Sequence, residues 1–280
     1  MSDYPRWRFA DLMNHVAYTL LSVLAKDMDN GFDYSECIDY AKQHFDEALS
    51  IIRNETDETD SANIKLAEAQ IYGNLGAYCL AKHKATKNKD FIYDALEYHQ
   101  KGLETRQLVF GKAPDSGEGC GYIGTSYNCL ATDYFALGEY EKALENHRRA
   151  IEYREIGNAK DIRKVESYNR CIGTLLRLFS ATKDIIHIEE ALNLFIKLLM
   201  LDTGNSQMLT SLNCLLGNRT ELINAKNNYE YLIGCINESS FVVDFDKATI
   251  LRESAAKIDS LCNEVSLESN LLEQIDRFRS

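Results

Sequence analysis

The segment Gly119-Cys120-Gly121-Tyr122-Ile123-Gly124 spells G-x-G-x-x-G, the spacing with which a nucleotide-binding turn brings its backbone against a pyrophosphate. That chemistry needs a β-strand before the turn and a helix N-terminus after it. The residues before Gly119 instead read as a helix ending near Phe110, so the glycines are expected to make a flexible loop between repeats and to hold no cofactor. Cys120 in that loop is then expected to be exposed, a thiol open to oxidation or simply incidental. The six histidines (His15, His44, His83, His99, His147, His187) contain neither H-E-x-x-H nor an i, i+4 pair. The eight cysteines stand singly, without a C-x-x-C pair, so neither a metal site nor a disulfide framework is expected. No G-x-S-x-G, P-loop or triad occurs, and Glu189-Glu190 falls on what reads as a solvated helix face. No catalytic residue, metal or cofactor is expected, and the chain reads as a binding protein rather than an enzyme.

The elements that would position any site must be helices. Of 280 residues, 45% are apolar and only 2 are proline, with 15 glycines that form no linker-like run; a chain this poor in helix breakers supports many helices joined by short turns. The net charge of −12 and pI near 5.0 disfavour nucleic acid and anionic membrane surfaces, both of which need local positive charge. Reduced single thiols and a start, Met1-Ser2-Asp3-Tyr4-Pro5-Arg6, without an apolar signal core suggest a cytoplasmic location. The greasiest run, Leu192 to Leu201, is interrupted by Asn193 and Lys197 and is too short to span a bilayer.

An internal repeat organises the chain. Ala95-Leu96-Glu97-Tyr98-His99 through Arg106 and Ala143-Leu144-Glu145-Asn146-His147 through Arg154 both read A-L-E-x-H-x-x-small-apolar-E-x-R, the second beginning 48 residues after the first. The same frame (a small residue, a ring four on, a third position seven on) recurs as Ala41, Phe45, Ala48, as Ala191, Phe195, Leu198, and as Ala225, Tyr229, Leu232. Positions i, i+4 and i+7 share one helical face, so each segment reads as the second helix of a pair. Upstream lie first helices with faces Tyr72, Leu75, Gly76, Cys79, then Tyr127, Leu130, Ala131, Tyr134, then Asn169, Ile172, Gly173, Leu176. The small residue in each set is expected to let two helices approach closely, with overpacking by a larger one costing roughly 1–3 kcal/mol. Insertions at Lys82–Asp90 and Ser180–Ile188 are expected to lengthen the helices or their turns.

On these residues, above all Tyr127, Leu130, Ala131, Tyr134, Gly138, Tyr140, Ala143 and Ala150, the chain resembles the tetratricopeptide repeat (TPR) family. The longer-repeat kind of kinesin light chains is most similar, although Gly111-Lys112-Ala113-Pro114-Asp115 is a residue shorter than the family's G-x-x-H-P-D link and lacks its His. The resemblance implies an all-α, right-handed superhelical solenoid of about five antiparallel helix pairs over 1–240, with C-terminal capping helices over 241–280. It implies no particular process, only that a protein or peptide partner lies against the first helices in a concave groove. The positions expected to line that groove include Gln70, Gly73, Thr125, Ser167 and, as partner-binding residues, Asn74, Asn128, Thr132, Phe135, Arg170, Thr174 and Arg177. Asn74 and Asn128 resemble the asparagines by which related repeats hold a peptide backbone. Arg170 and Arg177, one to two turns apart in an acidic chain, suit a carboxylate or acidic segment, unless neighbouring acids neutralise them. Two other classes stay open: a ligand-responsive regulator whose pitch changes on binding, and an enzyme built on a helical scaffold.

Overall fold

The computed structural model describes residues 5–27, 35–55, 60–114, 116–157, 161–199, 219–239, 241–243 and 247–248. Every regular element among them is a helix: α1 (Arg6–Asp27), α2 (Ser35–Arg53), α3 (Ser61–Thr86), α4 (Asp90–Phe110), α5 (Gly117–Leu137), α6 (Tyr140–Ile156), α7 (Asp161–Thr182), α8 (Ile185–Leu199) and α9 (Arg219–Glu238). The chain divides into two compact units, Met1–Gly157 and Asn158–Ser280. The expected capping segment, 241–280, lies outside the described residues except at 241–243 and 247–248.

In the first unit α1 packs on α2, α3 on α4 and α5 on α6, and the pairs stack in sequence order through α2–α3 and α4–α5. The second helices bury the small–ring–small face read from the repeat. Ala41, Phe45 and Ala48 are fully buried, as are Ala95, Ala143 and Ala150, while His99 and His147 take the ring position and are nearly so. Tyr72, Leu75, Cys79, Tyr127, Leu130 and Ala131 meet them from the first helices. The turn between α5 and α6 ends α5 in a left-handed cap at Gly138 (φ 82°), whose N–H donates to Phe135 O at 3.0 Å while that of Glu139 donates to Tyr134 O at 2.9 Å; a residue without Cβ suits that conformation.

The second unit pairs α7 with α8 through Ala191, Leu192, Phe195 and Leu198, all buried. Helix α9 lies against α7 and, less extensively, α8. Its Ala225 and Leu232 are buried, its Tyr229 ring packs 5.8 Å from that of Phe195, and Asn228 Nδ2 donates to Asn169 O at 2.8 Å. Residues 200–218, which hold the first helix expected for that repeat, lie outside the described residues.

Both insertions lengthen a first helix, and both end it in the same turn. Thr86-Lys87-Asn88 and Thr182-Lys183-Asp184 place a lysine at φ 60° and 58°, with its N–H donating to His83 O and Phe179 O, each at 2.7 Å. The threonine hydroxyl accepts the next-but-one N–H at 3.2 Å in both turns. Asn88 Oδ1 and Asp184 Oδ1 then accept from Asp90 and Ile186 N–H at 3.0 Å, capping the following helix. A left-handed lysine is strained by its Cβ. Lys87→Gly and Lys183→Gly are therefore each expected to raise stability by roughly 0.5–1 kcal/mol in urea unfolding, after the glycine's own chain entropy is counted.

Candidate functional site

Glycines that read as a loop lie inside α5. Ser116 is its N-cap, with Oγ accepting Gly119 N–H at 3.0 Å, and Gly119, Gly121 and Gly124 follow as helical residues. Each helical glycine costs about 1 kcal/mol relative to alanine, so packing must override propensity. A Cβ on Gly124 would lie 3.1 Å from Arg154 Cγ and 3.2 Å from Ala150 O, and one on Gly119 would lie 2.8 Å from Pro114 Cβ. The glycines allow α5 to seat against α6 and the link before it. Cys120 accordingly is buried rather than exposed, its Sγ donating to Pro114 O at 3.5 Å. Cys79, Cys171 and Cys235 are buried too, and burial pushes the Cys79 thiol up to about 12. Cys37 is exposed and Cys129 half-buried. A disulfide-exchange reagent is thus expected to label Cys37 at once and to reach Cys79, Cys120, Cys171 and Cys235 only on unfolding; early labelling of Cys120 would contradict its seating.

The partner-binding residues divide by what their side chains already do. In the first unit Asn74 is buried, donating from Nδ2 to Asn14 Oδ1 at 2.8 Å and accepting from Gln70 Nε2 at 3.2 Å. Asn128 is buried with its Oδ1 3.1 Å from His147 Nδ1. Both amides are engaged between helices. Thr132 Oγ1 returns to Asn128 O at 2.9 Å, and Phe135 stands half-buried, its ring edge-on to Tyr140 at 5.2 Å. In the second unit Thr174 is fully buried and donates to Arg170 O at 3.0 Å. Arg170 bonds Glu166 one turn back at 2.8 Å. Arg177 is exposed, and no described residue pairs with it.

Sequence spacing did not single out the polar groups that run through the first unit. Arg106 of α4 is 4% exposed; its Nη1 donates to Ser126 Oγ at 2.6 Å, its Nη2 to Gln70 Oε1 at 3.4 Å, and its guanidinium lies 5.7 Å from the Tyr122 ring. Its Nε has no partner, and among the described residues no carboxylate pairs with it. Burial pulls its pKa below the ordinary arginine range. A buried charge without a counter-ion is costly, and an apolar replacement of similar shape is often stabilising. Arg106→Met is expected to raise stability by about 1–3 kcal/mol in urea unfolding, which would show that the arginine is not kept for folding. The signal was present: Arg106 and Arg154, both buried, hold the last position of the 48-residue repeat.

One repeat histidine holds a buried carboxyl group. His99 Nδ1 lies 2.6 Å from Asp133 Oδ2 and its Nε2 lies 3.2 Å from Gly73 O. Both neighbours accept, so a ring bearing both protons satisfies both. Asp133 is fully buried with Oδ1 unpartnered. Burial pushes its carboxyl above 3.8, against the opposing hydrogen bond and charge of His99.

Above this network the first helices leave a cleft of about 230 Å³, lined by Trp7 and Asp11 of α1, Asn63 and Gln70 of α3, and Glu118 and Tyr122 of α5. Trp7 is held by its Nε1–H on Asp60 Oδ2 at 3.0 Å, and Asp11 faces His15 at 3.4 Å. Gln70 and Tyr122, which touch Arg106 from above, form part of its wall. Two ring surfaces, two side-chain amides and carboxylates at the rim can hold an extended chain by stacking and backbone hydrogen bonds. Among the described residues no group of three or more His, Cys, Asp or Glu is placed to hold a metal ion, and no helix is long and apolar enough to cross a membrane.

No family model and no curated protein sequence matches the chain. Among solved structures it is similar to the crystal structure of BtubC (BKLC) from P. vanneervenii, at 17% identity over 92% of this chain and 91% of that one, with a TM-score of 0.51. A computationally designed self-assembling cyclic protein homooligomer aligns over 95% of this chain and 98% of its own, at 13% identity and a TM-score of 0.28. The likeness to BtubC shows a shared helical-repeat fold.

Proposed function

We propose that the chain is an adaptor of the tetratricopeptide type, with repeats most like those of kinesin light chains, that holds a segment of another protein against its first helices in the cytoplasm. The carrying observation is the cleft between α1, α3 and α5. Three successive first helices turn rings and amide heads toward one open space of about 230 Å³, wide enough for a few residues of extended peptide. The groups beneath it are already bonded to one another through Gln70, Asn74 and Asn14, so the wall is preformed and little ordering is needed on binding.

In the second unit the partner segment is partly acidic. Among the described residues Arg177 is exposed without an ion pair, whereas Arg170 shares its charge with Glu166; Arg177 is thus the stronger point of attraction in a chain of net charge −12. That overall charge argues against nucleic acid and membrane as partners, and the role is binding rather than catalysis. Panning a random-peptide library against the immobilised chain should enrich clones carrying Asp or Glu, and an Arg170→Glu/Arg177→Glu variant should lose them. Enrichment of the same clones by both proteins would show that no acidic segment lies there.

A further inference from the structure

We infer that the outer face of α1 is a docking surface for a second copy of this chain, joined about a two-fold axis close to Val16. Four large apolar side chains there face solvent: Phe9 (53% exposed), Leu12 (60%), Val16 (61%) and Val23 (53%). With Thr19 they occupy positions 9, 12, 16, 19 and 23, alternating steps of three and four. That is the seam spacing by which one helix lays side chains into the holes of another. The other sides of α1 are already used. Ala10, Asn14, Ala17 and Leu21 are buried in the unit, and Trp7 and Asn14 reach α3 through Asp60 and Asn74. The seam is a second apolar face on a helix whose first is filled.

Of the described helices, α2 and α3 pack extensively on α1, and the stripe stays exposed beside them.

Three features fit a second copy. The stripe is symmetric about its middle: Phe9 and Val23 each lie seven residues from Val16, about 10.5 Å along the axis. An antiparallel copy therefore sets Phe9 opposite Val23 of the second copy, Val16 opposite Val16, and Leu12 opposite the turn that holds Thr19, as a self-complementary two-fold interface requires. No charged side chain stands in the stripe, so two chains of net charge −12 meet without burying like charges. The Thr19 hydroxyl is already donated to His15 O at 2.8 Å, so it enters the seam without an unmet donor.

The test is sedimentation equilibrium of the full-length chain at ~5–50 μM, a range that reads micromolar association. The wild type is expected at twice its 31.9 kDa chain mass and a Leu12→Glu/Val16→Glu variant at the single mass, with unchanged far-UV circular dichroism. Leu108→Glu, at a 75% exposed position of α4, is expected to remain dimeric. A wild type that stays monomeric throughout overturns the proposal, as does a folded double variant that stays dimeric or loss of the dimer in Leu108→Glu. Should the double variant lose its helical spectrum, Val16→Cys decides. A short bis-maleimide is expected to join position 16 to position 16, found by mass spectrometry of the cross-linked peptide and absent from the wild type. A folded Val16→Cys chain yielding no such peptide overturns the proposal.

Discussion

Gly76→Ala is expected to lower stability by ~3 kcal/mol, measured by urea unfolding followed with far-UV circular dichroism, because overpacking a filled contact forces side chains or backbone to move. A Cβ built on Gly76 would lie only 2.3 Å from His99 Nε2, 2.5 Å from Cδ2 and 2.6 Å from Cε1. The ring cannot step aside freely, being held by Asp133 on one nitrogen and Gly73 O on the other. The added methyl therefore both crowds the α3–α4 contact and pulls at a buried pair. Gly173 supplies the contrast. It is the same small position two repeats further on, yet a Cβ there meets only Asn228 Oδ1, at 3.5 Å, an ordinary contact. Gly173→Ala is expected to be neutral or to stabilise by up to about 1 kcal/mol through helix propensity. Similar losses from both substitutions would contradict the packing described.

His99→Ala is expected to cost ~3–5 kcal/mol at pH 7, the range when a buried charged group loses its partner, because Asp133 then keeps no partner on either oxygen. The pH dependence identifies the cause. Burial raises the folded Asp133 pKa above the ordinary 3.8 of an aspartate, so at pH values above 3.8 the folded state binds more protons at this group than the unfolded chain. Its contribution is fully present below that value and is lost as pH rises through the folded pKa. Removing His99, which lowers that pKa, moves it further up and enlarges the loss at neutral pH. Urea unfolding of wild type and His99→Ala should therefore differ more at pH 7 than at pH 4.5. A difference independent of pH would mean that the cost is the cavity left by the ring rather than the stranded carboxylate.

The pairing of helices was legible because helix periodicity leaves a strong trace when the buried face alternates alanine with a ring, as at Ala41–Phe45–Ala48 and Ala191–Phe195–Leu198. Gly138 marked its turn for a local reason, a backbone angle that other residues adopt at a cost. The segment Gly119 to Gly124 was misread for the opposite reason. Four glycines in the first two turns of a helix defy propensity, and close neighbours explain three of them: Gly157 beside Gly117, Pro114 beside Gly119, and Ala150 with Arg154 beside Gly124. Asn74 and Asn128 were placed correctly on first helices, but their role depends on Asn14 and His147, which lie far off in sequence. Arg106 stands in the sequence only as the last position of a repeat, and its enclosure depends on Gln70, Tyr122 and Ser126 from two other helices. The α1 seam was hidden because that helix is apolar on two faces, which weakens the contrast a single amphipathic stripe would give.

The most direct measurement is affinity purification of the full-length wild type beside the Arg170→Glu/Arg177→Glu variant, with bound proteins identified by mass spectrometry. The adaptor proposal predicts a partner enriched by the wild type over bare matrix, reduced at least tenfold with the variant, and bound in a way that a peptide of its own sequence competes away. Recovery of no protein by the wild type would contradict the account.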